Sequence, residues 1–541
     1  MEWTRADHVS RLDTDFDALV IGAGITGAGV ALDLASRGLS VAVVDQADFA
    51  QGTSSRSTKL LHGGIRYLPH FEFHFVSEGL REQKVLARVA DFLFDETEFV
   101  IPIYRQYGLA DAPTWASGPR LAPLALGAGL TLYDILGGIG RPGHRHRRVS
   151  PDQIAEMMPK VVRDGLKSGF VYSDARTEDS RLVVSVAKTA VRRFGAVAAG
   201  GVRVDRLTAG DSGYVVHMTD LASGQPLLAR ARAVVSATGA FQSPPLEGNS
   251  AALPMVRSKG VHVIVSGESL SLGGRALVLP ETDDGRVLFV VPWLGHAMIG
   301  TTDTPYDADL AHPVATSEDI DYLLRHVLRF MDVEKPEPLS TFAGLRALAR
   351  NGASSTARTS REHLIDEPAP AYVRVAGGKL TTYRRIARQA ADRVAKAIRL
   401  DARSVTDETP LVGANGHVPS IENRLTSVGI APEAAKWMYG KYGTDSEQVA
   451  RLVEGDPGLA RLLSDGRTTL ADVSHACRFE AAATIGDVAL RRTRLAWFSP
   501  SHARTDSAAI AAVMKQTLGW DDSTTQIRIA DYETELAAEG L

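Results

Sequence analysis

A glycine-rich turn near residue 22 constrains the fold of this chain more than any other feature. The apolar run 17–21 leads directly into a G-x-G-x-x-G turn, and a second apolar run ends at Asp45. A strand, such a turn, a helix and a second strand with a terminal acid form the βαβ unit that holds a dinucleotide. Gly22 permits the tight turn, Gly24 lets the backbone approach the pyrophosphate, and Gly27 lets the helix pack closely on the strand. Asp45 is expected to accept hydrogen bonds from ribose hydroxyls.

A second G-x-G-x-x-G match, at residues 138–143, lacks this context. No β-rich run precedes it closely, and Pro142 with the basic stretch 143–148 disfavours a following helix. We interpret the match as a loop and the basic stretch as a solvated one, with binding of acidic lipids as the alternative.

Length and charge exclude several classes of protein. A chain of 541 residues exceeds what one hydrophobic core usually organises, so two or three domains are expected. With 44% hydrophobic and 23% charged residues, the composition is that of a globular protein. The formal net charge of −4 provides no field that favours nucleic acid, and a nucleic-acid partner is not expected.

Cysteine content and hydropathy indicate the compartment. Cys477 is the only cysteine, which excludes a disulfide framework and Cys-rich metal sites, so no metal is expected. Residues 1–17 are acidic without an apolar core and indicate neither a secretory signal nor a membrane span. The apolar stretch 121–139 is interrupted by Pro123 and Asp134. A cytoplasmic protein fits these features, with peripheral contact to the inner face of the cell membrane left open.

The remaining pattern indicates a discontinuous architecture. Apolar residues recur with a helical period in 75–94 and in 181–194, and Gly195 follows the second segment. The runs 233–239 and 372–378 are short β runs that end in glycine, as expected of parallel strands whose carboxyl ends face a ligand crevice.

Two further regions complete this organisation. The segment 276–302 alternates strands and turns, which indicates an antiparallel sheet on the substrate side. After residue 399 the patterns are helical, for example at 434–442 and 469–485, which predicts an all-α C-terminal domain.

The number of dinucleotide fingerprints favours flavin over nicotinamide. Only the turn at Gly22 carries the full context, so the simplest scheme has one bound redox cofactor that takes electrons directly from a small substrate. The glycine-ended runs at Thr238-Gly239 and Gly377-Gly378 lie far along the chain, as needed to hold an extended FAD along its length.

Several ordered motifs carry a family resemblance that covers nearly the whole chain. With the first fingerprint, the chain is similar to the FAD-dependent glycerol-3-phosphate dehydrogenases in motifs at the following places: Thr53-Ser54-Ser55, Lys59–Leu68, Lys259-Gly260-Val261-His262, Pro292-Trp293, Ile299–Asp303, Gly377–Arg384 and, in the helical tail, Leu490-Arg491-Arg492-Thr493.

The resemblance implies an α/β fold and a set of domains. The first is an FAD-binding Rossmann-like domain of the glutathione-reductase and D-amino-acid-oxidase type, expected at residues 1–75, about 150–240 and 340–398. An antiparallel-sheet substrate domain is expected at 76–149 and about 241–339, and the C-terminal helical domain at 399–541. A homodimer is left open.

The resemblance also implies FAD as cofactor and a set of residues around it. They are Gly22, Gly24, Ile25, Thr26, Gly27, Asp45, Gln46, Thr53, Ser54, Ser55, Lys59, His62, Gly63, Gly64, Thr238, Gly239, Gly378, Lys379, Leu380 and Thr381. His62 is expected to place the flavin, although related flavoenzymes attach FAD covalently through a histidine in this region.

A phosphorylated substrate explains why the implied pocket contains several cationic residues. A phosphate of nearly two negative charges is held best by several cations. The residues that match the family's substrate pocket are Arg66, Tyr67, His262, Arg346, Arg361 and Lys379. Relatives commonly have proline after the arginine matching Arg346, whereas this chain has Ala347, so the loop is expected to be more mobile. Arg350 and Arg358 are therefore alternative phosphate ligands.

Oxidation of a secondary alcohol needs the hydroxyl proton removed while the C2 hydride moves to flavin N5. His262 is the favoured base because its ordinary pKa lies near neutrality, and Arg346 or Arg361 is then expected to stabilise the developing alkoxide. Whether the histidine or an arginine is the base stays open. Lys379 and a helix N-terminus that follows it are expected to stabilise negative charge near flavin N1.

The resemblance therefore implies oxidation of sn-glycerol 3-phosphate to glycerone phosphate, with electrons passed to a quinone. Three rivals remain. An oxidase of the same fold would use oxygen, a relative acting on amino or hydroxy acids would keep one carboxylate clamp, and a redox-sensing flavoprotein would not need the cationic set. The acceptor is not fixed by the sequence.

Overall fold

The computed structural model describes residues 2–65, 68, 72–108, 121–137, 145–248, 253, 255–349, 363–414, 416 and 418–541. The glycine match at 138–143, interpreted above as a loop, lies outside these residues.

The strands are β1 Asp15–Ile21, β2 Val41–Val44, β3 Leu60–Leu61, β4 Asp95–Tyr104, β5 Arg147–Val149, β6 Leu166–Arg176, β7 Val197–Ala199, β8 Val202–Gly210, β9 Gly213–Asp220, β10 Pro226–Ser236, β11 Met255–Ser266, β12 Ala276–Leu279, β13 Leu288–Trp293, β14 His296–Gly300, β15 Thr304–Pro305, β16 Ser340–Ala349, β17 Leu364–Ala369 and β18 Tyr372–Ala376.

The α-helices are α1 Arg5–Ser10, α2 Ile25–Ser36, α3 Phe73–Val89, α4 Ala122–Gly137, α5 Pro151–Met157, α6 Asp179–Phe194, α7 Gly267–Leu270, α8 Ser317–Phe330, α9 Tyr383–Ala397, α10 Pro419–Ser427, α11 Pro432–Tyr442, α12 Ser446–Gly455, α13 Leu470–Phe479, α14 Leu495–Phe498, α15 Ser507–Leu518 and α16 Asp522–Glu539. Residues Asp487–Arg492 form a π-helical turn.

The first sheet is built around β1, which pairs in parallel with β2 on one side and with β10 on the other. Its strand order is β17-β18-β10-β1-β2-β7, and β10 and β18 are also parallel. Residues Ala18–Ile21 of β1 and all of β2 are buried and apolar, as expected of parallel strands covered by helices. The predicted strands near 233–239 and 372–378 are present as the end of β10 and as β18, and the carboxyl ends of β1, β10 and β18 lie along the same edge of the sheet.

The second sheet contains ten strands in the order β15-β11-β14-β13-β12-β4-β6-β3, with β16 on β11 and β5 on β6. The region predicted to be antiparallel, 276–302, forms β12, β13 and β14, and these strands pair antiparallel. The long strand β11 lies between β14 and β16 and carries His262 opposite Gly300 and Phe342.

Sheet membership divides the chain differently from the expected domain boundaries at three strands. Strand β3 pairs with β6, β6 pairs with β4, and β16 pairs with β11, so all three belong to the second sheet although residues 1–75 were also expected in the FAD-binding domain. The boundaries near 150 and 340 assigned β6 and β16 to the FAD-binding domain. Short-range periodicity locates a strand but does not specify the strand with which it pairs.

Helix positions agree with the predicted pattern, with two shortened ends, one of them in α13, which ends at Phe479 rather than near 485 because Glu480 leaves the helical region with φ of −141°. Helix α6 ends where Gly195 adopts a left-handed conformation with φ of 74°, as the glycine signal predicts. Helix α3 ends at Val89 rather than near 94, because Ala90 leaves the helical region with φ of −140°. No helix in the described part of the chain has the length and apolar character that crossing a membrane requires.

Buried ion pairs join the C-terminal helical region to the part of the chain that carries the first sheet. Arg181 of α6 donates to both carboxylate oxygens of Glu480, at 2.6 and 2.7 Å. Asp48 receives Arg491 at 2.6 Å and Arg492 at 2.6 and 2.8 Å. These buried charges are compensated only when the C-terminal helices are in place.

Candidate active site

A cavity of about 1270 Å³ lies at the carboxyl ends of β1, β10 and β18 and extends to β11 and β16 of the second sheet. Its lining includes Gly22 and Asp45 from the first sheet and His262 and Arg346 from the second. Pockets for drug-sized ligands usually measure about 300–1,000 Å³, so this cavity has room for a large cofactor together with a small substrate.

The glycine turn opens onto this cavity. Gly22 has φ of +99°, and a Cβ there would lie 2.5 Å from the carbonyl oxygen of Ala237. A Cβ at Gly27 would lie 1.8 Å from the carbonyl oxygen of Gly22. Gly24 is the N-cap of α2 and makes no side-chain capping hydrogen bond of its own. The helix therefore presents its partial positive charge to the cavity, which fits the pyrophosphate of a dinucleotide.

Two polar side chains hold the turn in this form. The Asp45 carboxylate accepts hydrogen bonds from the amides of Ala23, at 2.7 Å, and Ala47, at 2.9 Å. Ser54 Oγ accepts the Ile25 amide at 2.9 Å. Each carboxylate oxygen has capacity for a second donor, so Asp45 retains the ability to bind ribose hydroxyls while it supports the backbone.

A second group of predicted cofactor residues meets at another part of the cavity. Thr381 Oγ1 donates to the His62 carbonyl oxygen at 3.2 Å and joins two segments far apart in sequence. Lys379 Nζ lies 4.8 Å from the centre of the Phe75 ring. Residues 380–382 form a 3₁₀ turn that continues into α9 at Tyr383, so the helix expected after Lys379 is present.

Most of the predicted cofactor residues line the cavity. Those that do are Gly22, Gly24, Ile25, Thr26, Asp45, Gln46, Thr53, Ser54, His62, Gly64, Thr238, Gly239, Gly378, Lys379, Leu380 and Thr381. Gly27, Ser55, Lys59 and Gly63 lie behind the lining. The N-terminus of α2, the glycine turn and Asp45 after β2 together fit FAD.

Lys59 was expected to contact the cofactor, but its side chain does not line the cavity. Its side chain is buried, and its ammonium bonds both oxygens of Asp179 at 3.1 Å. It also lies 4.4 Å from the centre of the Trp293 ring. The lysine therefore supports the wall of the cavity. The sequence does not indicate this ion pair, because the partner carboxylate is 120 residues away.

His262 is a buried, neutral imidazole at the cavity wall. Its ring stacks on Phe342, with centroids 4.8 Å apart and planes at 20°. Its Nε2 lies 3.0 Å from the hydroxyl of Thr58. Burial, together with the charges of Lys59 and Arg346, holds the pKa of His262 well below its usual value. At neutral pH the ring is therefore uncharged and able to accept a proton.

Arg346 lies beside this histidine and is fixed by its neighbours. Its Nη1 donates to the Thr302 carbonyl at 3.1 Å, and its Nη2 donates to Thr301 Oγ1 at 3.0 Å. It also pairs with Asp303 at 3.4 Å. The segment around Arg346 that was expected to be a loop is a strand, because β16 continues through Ala349 in regular register with β11.

The structure brings together only part of the predicted substrate set. His262, Arg346 and Lys379 line one cavity. Arg66, Tyr67 and Arg361, and the alternatives Arg350 and Arg358, lie outside the described residues.

Thr58 and Thr301, which lie in or beside the quoted motifs, line the wall, whereas sequence reasoning missed a third polar residue there, Asp174. Asp174 accepts hydrogen bonds from the Gly63 amide and the Tyr133 hydroxyl, each at 3.2 Å. Burial raises the pKa of Asp174 to about 7. No motif in the sequence around β6 marks it, and its partners Gly63 and Tyr133 are 111 and 41 residues away.

Comparisons with known proteins agree with this geometry. The family model for FAD dependent oxidoreductases matches residues 17–400, and a model described as the C-terminal domain of alpha-glycerophosphate oxidase matches residues 404–525. Together they confirm the predicted fold class and FAD as the cofactor.

Named relatives cover nearly the whole chain. Glycerol-3-phosphate dehydrogenase 2 of Mycobacterium tuberculosis is 34% identical, over 99% of this chain and 91% of its own length. The human mitochondrial glycerol-3-phosphate dehydrogenase is 33% identical, over 95% and 72%. The crystal structure of the Bacillus halodurans glycerol-3-phosphate dehydrogenase complexed with FAD superposes with a TM-score of 0.75 at 25% identity, covering 99% of this chain and 97% of that one. The chain belongs to the FAD-dependent glycerol-3-phosphate dehydrogenase family.

Proposed function

We propose that this enzyme oxidises sn-glycerol 3-phosphate at C2 to glycerone phosphate and passes the electrons to a membrane quinone. The observation that carries the proposal is the placement of His262, neutral and buried, beside Arg346 in the same cavity as the dinucleotide turn. The names of relatives that align over almost the full chain support the same substrate.

The substrate phosphate is assigned to the cationic side of the cavity. Arg346 and Lys379 supply two positive charges there, and Arg66, Tyr67 and Arg361 join them by motif position. A dianion bound among guanidinium groups makes short, charge-assisted hydrogen bonds, which a neutral alcohol does not make. Glycerol without its phosphate is therefore expected to be a poor substrate.

His262, Arg346 and Lys379 have separate roles in the proposed oxidation. Bound FAD supplies the hydride acceptor at N5. His262 accepts the proton of the C2 hydroxyl because its low pKa keeps it uncharged before the reaction. Arg346, held by Thr301 and Thr302, stabilises the negative charge that develops on the substrate oxygen. Lys379 and the N-terminus of α9 stabilise negative charge on the cofactor side.

The apolar part of the cavity supports a quinone as acceptor. Leu68, Phe99, Ile101, Leu126 and Phe289 contribute to its lining, and such a wall suits a lipid-soluble molecule. Leu124 and Ile135 of α4 are 72% and 50% exposed, which supports peripheral contact with the inner face of the cell membrane by a cytoplasmic enzyme.

A homodimer is the assembly to test by light scattering.

One experiment separates the substrate from the acceptor. Purified enzyme is reduced anaerobically with glycerol 3-phosphate while the flavin absorbance is followed, and it is then mixed separately with a quinone analogue and with oxygen. Fast bleaching by the substrate and fast reoxidation by the quinone alone are expected. Fast reoxidation by oxygen with release of peroxide would identify an oxidase, and absence of bleaching would reject the substrate.

A further inference from the structure

His262 belongs to the cavity lining, yet its imidazole is almost completely buried. Nε2 faces the Thr58 hydroxyl at 3.0 Å. Nδ1 is buried and has no hydrogen-bonding partner among the described residues. The whole residue is only 2% exposed. Nε2, the nitrogen with a polar neighbour, is engaged by a threonine, so the Thr58 hydroxyl lies on the path of a proton that reaches this nitrogen.

Thr58 is the more exposed member of this pair. Its side chain is half-buried and belongs to the cavity lining, whereas the neighbouring Lys59 does not. The Thr58 hydroxyl therefore contacts both the space available to a substrate and the imidazole behind it. A hydroxyl donates one hydrogen bond and accepts up to two, so it is able to serve both neighbours at once.

The residues on either side hold Thr58 in place. Ser57 donates both its amide, at 3.0 Å, and its hydroxyl, at 2.7 Å, to Asp179. Lys59 bonds the same carboxylate and has a positive φ of 60°. Thr58 is thus fixed between two residues anchored on one buried carboxylate, which limits the motion of its hydroxyl relative to His262.

We propose that Thr58 is the hydroxyl through which the substrate proton reaches His262. The proposal rests on the function proposed above. The substrate O–H bond breaks and its proton passes to Thr58 Oγ1, while the proton of Thr58 passes to His262 Nε2. The C2 hydride leaves with its electron pair to the bound flavin, and the C2–O bond becomes a carbonyl. Thr58 is unchanged overall, and His262 gains one proton.

Two substitutions separate the hydroxyl from the shape of the side chain. Thr58→Val removes the hydroxyl and preserves the volume, whereas Thr58→Ser preserves the hydroxyl. Anaerobic flavin reduction is expected to slow by about 10²–10³-fold in Thr58→Val and by less than about 5-fold in Thr58→Ser. FAD content and the substrate Kd are expected to stay within about 3-fold of the unmodified enzyme.

A second threonine–histidine pair provides a matched control. Thr208 Oγ1 lies 3.3 Å from His217 Nε2, on the hairpin of β8 and β9 away from the cavity. Thr208→Val therefore removes the same kind of contact outside the site. Its rate of flavin reduction is expected to equal that of the unmodified enzyme, and an equal loss in both valine variants would overturn the proposal.

A spectroscopic measurement tests the contact without turnover. In protein labelled with ¹⁵N-histidine, the His262 signals are assigned by their loss in His262→Gln. The relay requires Nε2 to be an acceptor, so its unmodified signal is expected to be that of an unprotonated nitrogen, and it should shift in Thr58→Val. An Nε2 that carries the proton at neutral pH would overturn the relay.

Failure of the relay is distinguishable from failure of the proposed function. If the unmodified enzyme is not reduced by glycerol 3-phosphate, the function itself is wrong. If the enzyme is reduced, and His262→Gln slows reduction while Thr58→Val does not, His262 acts without Thr58 and the relay is refuted. A Thr58→Val variant that changes only the substrate Kd also refutes it and moves Thr58 to substrate binding.

Discussion

The three glycines of the turn are expected to respond differently to the same substitution. Gly24 has φ of −72°, which alanine adopts readily, and a Cβ there would meet only Ser54 Oγ, at 3.1 Å. Gly24→Ala should therefore change the stability of the cofactor-free protein by less than about 1 kcal/mol. The added methyl group lies where the pyrophosphate approaches the backbone, so cofactor binding should carry the loss.

The expected loss follows from the hydrogen bonds that this approach permits. Hydrogen bonds to a charged group contribute about 1.5–3 kcal/mol each, and loss of two of them costs about 3–6 kcal/mol. Since 1.4 kcal/mol is a tenfold change, FAD binding should weaken by about 10²–10⁴-fold. The Kd is measured by adding FAD to cofactor-free protein and following the quenching of flavin fluorescence.

Gly27→Ala is the matched comparison. Its Cβ would lie 1.8 Å from the Gly22 carbonyl oxygen, a backbone atom, so α2 must move away from β1. The cofactor-free protein should lose about 3 kcal/mol or more in urea unfolding, the upper part of the range for overpacked cores. A Gly24→Ala variant that retains full FAD affinity, or that unfolds as easily as Gly27→Ala, would refute this division of roles.

Three further predictions concern charge. Arg346→Ala should slow anaerobic flavin reduction by about 10²–10³-fold, as expected when a group that stabilises a developing oxyanion is lost, and stopped-flow absorbance checks this; an unchanged rate would contradict that role. The pKa of Asp174 is raised to about 7 by burial. The unfolded chain loses this proton near pH 4, whereas the folded protein loses it only near pH 7. The free energy of unfolding should therefore fall by about 4 kcal/mol as the pH rises from 4 to 7. In Asp174→Asn, the free energy of unfolding measured from urea midpoints should not show this decrease. An identical pH dependence in both proteins would contradict it. Glu480→Gln should cost about 3–5 kcal/mol in urea unfolding because it leaves the buried Arg181 without its carboxylate, whereas Glu533→Gln, which breaks the half-exposed pair with Arg504, should cost less than about 1 kcal/mol; equal losses would contradict the difference.

Local signals predicted the parts of the fold that are determined by neighbouring residues. The turn at Gly22 combines a strand, glycines at fixed spacing and a helix within about thirty residues, and the structure contains each of them. Helix α6 and its glycine stop were likewise evident from the 3.6-residue period. In both cases the residues that determine the conformation lie close together in the sequence.

The features that the sequence did not predict depend on distant partners. The pairing of β6 and β16 in the second sheet is set by strands far along the chain. Lys59 was assigned to the cofactor by its place in a family motif, yet its partner Asp179 is remote in sequence. The contact of Thr58 with His262 joins residues 204 positions apart, which no local pattern reports.

The contact between Arg56 and Glu539 has a consequence for the biosynthesis of the enzyme. Arg56 lines the cavity, and its guanidinium is paired at 2.5 Å with a carboxylate at the end of α16. A ribosome therefore synthesises the complete glycine turn long before the helix that neutralises this arginine, because Arg56 and Glu539 are 483 residues apart. Asp48 is likewise separated from Arg491 and Arg492 by 443 and 444 residues, so stable capture of flavin is expected only after the C-terminal helices have been synthesised, and nascent chains truncated before them should emerge without cofactor.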